Sequence, residues 1–257
     1  MIDQLLEIFT SHDAEKKAKG VIMLGAGWHE PPWSNQDVSW PERPGRPSRP
    51  QLCDPRDMPR RNAAALEGRI ALLHALAHIE LNAIDLAIDI IGRFYDENMP
   101  QSFAKDWMSV AMDEAKHFLM LNKRLKELDS HYGALNAHDG LWQSAVNTSH
   151  DITARLAIVP LVLEARGLDV TPDIISKLED SGDTTSSNLL SIIYEDEKEH
   201  VRLGMKWFTY FCDKQGISTE RKYQALIKAH FKKGLKAPFN DHARQQAGMP
   251  VAFYRTI

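Results

Sequence analysis

Thiols are nearly absent from this sequence. Two cysteines, Cys53 and Cys212, stand far apart, too few for a disulfide framework or a thiolate metal cage, and they fit a reducing compartment. Neither sign of charge is in excess. A formal net charge of -4, with acids and bases interspersed, gives no general pull toward nucleic acid or an anionic membrane. The basic run Lys228 to Lys236 is a local exception. It has no aromatic stacking platform and reads as a solvated helix face rather than an RNA-binding patch. The N-terminal stretch MIDQLLEIFTSHDAEKKAKG carries acids and lacks a long apolar segment. That argues against a secretory signal or spanning helix there, and makes the cytoplasm the expected location. What is present is 43% hydrophobic and 26% charged over 257 residues, enough to bury a full core in one globular domain with appendages.

Residues 28 to 62 form a proline-rich block that cannot be continuous helix. Its tryptophans, Trp28, Trp33 and Trp40, need a surface to cover, so the arm is expected to wrap the body of the protein. From about 62 to 96, Leu73, Ala77, Glu80, Ile84, Ala87 and Ile91 recur at helical spacing and define one buried face. After the short break DENMPQ, Phe103, Trp107, Val110, Ala111, Glu114, His117, Leu121 and Leu125 repeat the pattern, which predicts two antiparallel neighbours. Residues 129 to 147 have no sustained period and read as a long crossover. A third helix over 150–166 carries Ala157, Leu161 and Glu164, with a kink at Pro160 and a stop at Gly167. Pro172 is expected to open a short helix, and Gly182-Asp183-Thr184 to precede a fourth long helix carrying Leu189, Ile193, Glu197, His200, Gly204 and Phe211. One amphipathic helix and an irregular tail follow from Glu220. The expected architecture is all-α: a segment over 1–61, a four-helix bundle over 62–217, and a C-terminal helix and tail over 218–257, in one structural domain.

Each of the four buried faces carries an acid. Burying ionised carboxylates without partners is costly, and two cations shared among four carboxylates and two imidazoles would remove that cost. Glu114-x-x-His117 and Glu197-x-x-His200 each place a carboxylate and a ring nitrogen on one helix face. Glu80 precedes Glu114 by 34 residues and Glu164 precedes Glu197 by 33, which implies a pseudo-twofold site. Glu80 lies 18 residues before Asn98 and Glu114 lies 16 after it. That is a height mismatch of about 3 Å, so the two can share an ion. The donor set is that of ferritin-like bundles, with Glu from two helices and Glu-x-x-His from the other two. Asp113 and Asp196, each preceding a motif glutamate, are expected to accept the second ring N–H of a ligand histidine. Oxygen and imidazole donors point to iron, with manganese or a mixed pair as the alternative.

The segments LLHALAHIELNAIDLA, DEAKHF, AHDGLW, RLAIVPLVLEARGLDVTP and DEKEHV resemble an uncharacterised, mainly bacterial family of ferritin-like proteins, domain of unknown function 455. The resemblance runs from the proline-rich arm to PFNDHARQQAGM and implies the ferritin-like di-iron carboxylate superfamily. The paired Asp-Glu-x-x-His motifs also look like those of di-iron oxygenases, although Lys116 and Glu199 stand where those enzymes usually carry arginine.

Several readings compete with the ligand set. Glu80 could be a buried acid paired with His74 or His78. His138, Asp139, His150 and Asp151 are expected to cap helices rather than touch substrate. Tyr194 is expected to pack in the core rather than serve redox chemistry, and Arg155 and Arg166 to pair with acids. The expected activity is an O2-activating oxidoreductase acting on a small organic substrate, with an electron donor as a further partner. The alternatives are a dimanganese catalase-like enzyme, an iron-handling ferroxidase and a non-catalytic metal-binding scaffold. No membrane partner is expected; a modified RNA substrate and a homodimer stay open.

Overall fold

The computed structural model describes residues 2–28, 38–58, 61–96, 98–231 and 234–255. Among them every regular element is helical, apart from one isolated parallel bridge between Leu52 and Ala137. The chain clusters into two compact units, Met1–Gln143 and Ser144–Ile257.

The first unit is built on α3, Leu66–Phe94, and α4, Ser102–Glu127. They pack extensively as antiparallel neighbours, because the connection between them is too short for any other course. α3 is long and apolar enough to cross a membrane, but 83% of its most apolar window is buried inside the protein. α4 buries the stripe Phe103, Trp107, Val110, Ala111, Glu114, His117, Leu121 and Leu125, as the spacing predicts. Two helices precede the arm: α1, Ile2–Phe9, and α2, Ala14–Ala26, which lies along α4. Asp13 caps α2 by accepting the Lys16 N–H at 2.9 Å.

Residues 38–58, the described central part of the arm, make contact with α3. Trp40 donates its indole N–H to Asp89 at 2.9 Å, and its ring lies so close over Gly92 that a Cβ there would meet it at 2.4 Å. Trp28 is half-buried, and Trp33 lies outside the described residues. Beneath the arm, Lys17 is buried with its ammonium on Asp85 at 2.6 Å, the Gly45 carbonyl at 2.8 Å and the Phe9 carbonyl at 3.1 Å. Arg46 reaches the other Asp85 oxygen at 2.8 Å and Asn82 at 2.7 Å. One carboxylate thereby ties α2, the arm and α3 together.

The crossover departs from expectation. Residues 140–147 form α5, Gly140–Asn147, with Trp142 buried and donating to the Glu42 carbonyl at 3.3 Å. A helix of two turns is too short to show a period in sequence. His138 and Asp139 both have local partners. The His138 ring takes the Gly140 N–H at the start of α5, 3.2 Å away, and Asp139 pairs with Arg43 at 2.5 Å.

In the second unit Asp151 caps α6, Ile152–Ile158, by accepting the Thr153 N–H at 2.7 Å. Pro160 then does more than kink the chain: Val159–Glu164 forms a π-helical turn, in which the Ala165 N–H reaches back to Pro160 O. The Leu161 carbonyl accepts the Tyr223 hydroxyl at 3.2 Å. Two expectations are corrected beyond this turn. Gly167 does not stop the helix, and Pro172 does not start one, because α7 runs unbroken over Ala165–Asp180. Gly167 is not left-handed, whereas Gly182, at φ 78°, is and supplies the actual stop. The carbonyl that Pro172 leaves without its usual donor, Leu168 O, takes the Asn240 side-chain N–H at 3.1 Å.

Asp183 caps α8, Thr184–Lys214, accepting the Ser186 N–H at 3.0 Å. The C-terminal region holds α9, Thr219–His230, and α10, Asp241–Gln246. Of the basic run, Lys232 and Lys233 lie outside the described residues. Tyr194 is half-buried rather than part of the core, because its hydroxyl reaches out to accept from Asn240 at 3.1 Å. Arg155 is buried and donates to Thr148 Oγ1 at 3.0 Å and the Ala145 carbonyl at 2.6 Å.

Removing the Asp85 carboxylate would leave Lys17 and Arg46 facing each other in the interior. Asp85→Ala is expected to destabilise the protein by about 3–5 kcal/mol in urea denaturation, and adding Lys17→Met should recover part of that loss. An unchanged midpoint for the single variant would refute the clamp.

Candidate metal centre

Glu80 occupies the middle of α3, and Glu114 and His117 lie one turn apart on α4. All three side chains are buried. His117 Nδ1 is 3.3 Å from Glu80 Oε2 and 3.4 Å from Glu114 Oε2. One donor atom from each of the three lies within 4.8 Å of the others, close enough to hold a single ion. The sequence-derived height match between Glu80 and Glu114 is therefore realised.

The rival partners of Glu80 are committed elsewhere. His74 Nε2 accepts the Gly133 N–H at 3.0 Å. His78 donates from Nε2 to the His138 carbonyl at 3.2 Å, leaving Nδ1 to accept the Tyr132 hydroxyl at 2.8 Å. Burial holds both rings neutral, pushing His74 down to about 4 and His78 to about 3. These two histidines pin the crossover. Tyr132 and this pinning role escaped the sequence reading, because nothing local marks a loop tyrosine as the partner of a helix histidine.

Protonation around the cluster shows what it requires. Burial and then the adjacent Glu114 charge push the Glu80 carboxyl well above its usual range, more than His117 counters. For His117 burial works the other way, favouring the neutral ring, but hydrogen bonding and attraction from Glu114 and Glu80 win and raise it to about 11. Two acids in a dry interior thus draw a proton onto the imidazole between them. A divalent cation would supply the same positive charge, and hard oxygen with imidazole nitrogen is a donor set suited to iron or manganese.

The second unit carries the matching residues. Glu197 and His200 lie one turn apart on α8, with His200 Nδ1 3.6 Å from Glu197 Oε2. His200 is buried, and Glu197 and Glu164 are half-buried. Glu164 closes the π-helical turn. Because α7 has no break, its height can be counted: Glu164 lies 18 residues before Gly182 and Glu197 lies 15 after it, nearly the offsets of the first pair. Gly204 of α8 sits against Pro160, where a Cβ would lie 2.6 Å from the proline Cβ. α7 and α8 are antiparallel across a tight turn. Glu164, four residues after Pro160, and His200, four before Gly204, therefore stand at one level.

Around the motifs, Asp113 and Asp196 are half-buried, and Asp113 takes the Lys116 ammonium at 2.7 Å. Lys116 and Glu199 point to the surface, Glu199 pairing with Arg202. Arg166 fulfils its expected role in part, lying 3.4 Å from Asp169.

The fold and this cluster describe an all-α protein with a buried carboxylate–imidazole group able to hold metal. By sequence it belongs to the family described as protein of unknown function (DUF455), whose model matches residues 10–255. A relative from Haemophilus influenzae, named only as an uncharacterized protein, is 42% identical over 207 residues, covering 79% of this chain and 72% of its own. No solved structure gives a significant match.

With its pKa raised to about 11, His117 is expected to carry a proton at pH 7 in the metal-free protein, whereas a ligand imidazole must be neutral. Cobalt(II) binding at pH 7 is therefore expected to release at least about one proton, with affinity rising as pH rises. Titration calorimetry in two buffers of different ionisation heat checks this. Binding without proton release would contradict a protonated carboxylate–imidazole cluster in the metal-free protein.

Proposed function

We propose that this chain is a ferritin-like di-iron carboxylate oxidoreductase. Glu80, Glu114 and His117 hold one ion, and Glu164, Glu197 and His200 hold the other. The observation that carries the reading is the convergence of Glu80, Glu114 and His117 within 4.8 Å of one another, all buried. The joining of both ions in one centre within a four-helix bundle is argued from sequence, through the 34- and 33-residue intervals and the duplicated Asp-Glu-x-x-His motif.

In that centre the paired iron would supply activation of O2 for oxidation or hydroxylation of a small organic substrate. The chain's own residues do the rest. The glutamates would balance the ionic charge. Asp113 and Asp196 would accept the outer ring N–H of the ligand histidines, fixing tautomer and orientation. Buried Ala77, Leu81, Ile84 and Ala111 keep the neighbourhood of the first ion apolar and poor in water. Electrons would come from a separate donor, and the near absence of cysteine agrees with a cytoplasmic setting.

The purified protein is expected to carry two iron ions per chain and to consume O2 when loaded with ferrous iron. The Glu114→Ala, Glu197→Ala double variant should lose both properties while staying helical by circular dichroism. Manganese content with O2 evolution from peroxide would instead identify a catalase-like enzyme. Ferrous oxidation inside a hollow shell would identify iron storage, and full activity in the double variant would contradict a catalytic centre altogether.

A further inference from the structure

Past the end of α9, Phe231, Gly234, Leu235 and Lys236 have no part in the metal reading, yet they form one wall of a cavity within the second unit. Phe231, Leu235 and Phe239 enclose about 250 Å³ against Val162 and Leu163 of the π-helical turn. Val162, Leu163 and Arg166 stand two before, one before and two after Glu164. At roughly 100° per residue they share the face of the helix turned away from that glutamate. The cavity is thus separate from the proposed ligand set.

Its charge is lopsided: Arg166, Lys236 and Arg244 line it together with one carboxylate, Asp169. Asp169 is already taken. Arg244 bonds it from Nε at 2.8 Å and from Nη2 at 2.7 Å, and the Asn240 backbone N–H bonds it at 2.9 Å. The Arg244 guanidinium is further held over the Phe239 ring, 5.3 Å from its centroid. Arg166 is anchored through Nη1 alone, which donates to the Lys236 carbonyl at 2.8 Å and the Pro238 carbonyl at 3.0 Å and lies 3.4 Å from Asp169. Among the described residues its Nε and Nη2 make no hydrogen bond. A pre-positioned guanidinium with two free donors beside a lysine and an apolar floor is complementary to a planar carboxylate on a hydrocarbon body.

We propose that this cavity binds a small organic acid, a medium-chain carboxylate whose chain lies among Val162, Leu163, Phe231 and Phe239 and whose head group meets Arg166 and Lys236. The site is independent of whether the chain holds metal. Its size, just below the usual range for ligand pockets, favours a chain of modest length over a long-chain lipid.

The test is titration calorimetry on the full chain as purified, with octanoate, octan-1-ol and inorganic phosphate as probes. Octanoate is expected to bind, octan-1-ol to bind about tenfold more weakly or less, and phosphate to give no heat. Arg166→Gln should weaken octanoate about tenfold. Leu163→Trp, which fills the cavity, should abolish binding with the melting temperature retained. Should Arg166→Gln melt early through loss of its carbonyl bonds, the octanol comparison and Leu163→Trp decide the matter. Absence of octanoate binding, equal affinity for the alcohol, binding of phosphate alone, or undiminished binding in Leu163→Trp would each overturn the proposal.

Discussion

Negative charge buried in an apolar helix is the constraint around which the first unit is organised. α3 carries three buried acids, Glu80, Asp85 and Asp89, within a run of alanine, leucine and isoleucine, and each must meet positive charge to stay inside. Asp85 meets Lys17 and Arg46, and Asp89 meets Arg93, with the Trp40 indole as a further donor. These partners are a lysine and two arginines brought in by α2, the arm and α3 itself. Glu80 differs. It shares its surroundings with a second acid, Glu114, and with an imidazole that has to borrow a proton to play the same part. Lysine and arginine thus serve two acids of this helix and a titratable ring serves the third, which is where we propose that an exchangeable cation binds.

The arm and the N-terminal helices acquire a purpose from the same constraint. Lys17 reaches Asp85 only because α2 runs beside α4, and Arg46 and Trp40 reach α3 only because the prolines keep the arm extended across it. The π-helical turn has a comparable place in the second unit. It begins at the proline that packs on Gly204 and ends at Glu164, so an irregularity in helix winding sets where a proposed ligand points. The winding is supported from outside by the Tyr223 hydroxyl on Leu161 O, and the following helix by Asn240 on Leu168 O.

Sequence spacing was enough to find the helices that carry Glu80, Glu114, Glu197 and His200, because apolar residues at three- and four-residue steps express the 3.6-residue period directly. It also placed Glu80 and Glu114 at one height. What it missed depends on partners remote in sequence. α7 continues through Gly167 and Pro172, and Asn240, 72 residues after Leu168, satisfies the orphaned carbonyl; no local propensity contains that fact. α5 has two turns, too few to establish a period. The Lys17–Asp85–Arg46 clamp and Tyr132 as the partner of His78 both escaped the sequence reading. The ferritin-like bundle and the di-iron chemistry rest on the motif repeat and stand as proposals.

The central claim is that six side chains hold two redox metal ions. X-ray diffraction from crystals of the purified protein, recorded at the iron and manganese absorption edges, tests it most directly. The account predicts two anomalous peaks, one bonded to Glu80, Glu114 and His117 and the other to Glu164, Glu197 and His200. Glu80 and Glu114 joined through a protonated His117, with no anomalous density after growth in iron- and manganese-replete medium, would contradict it.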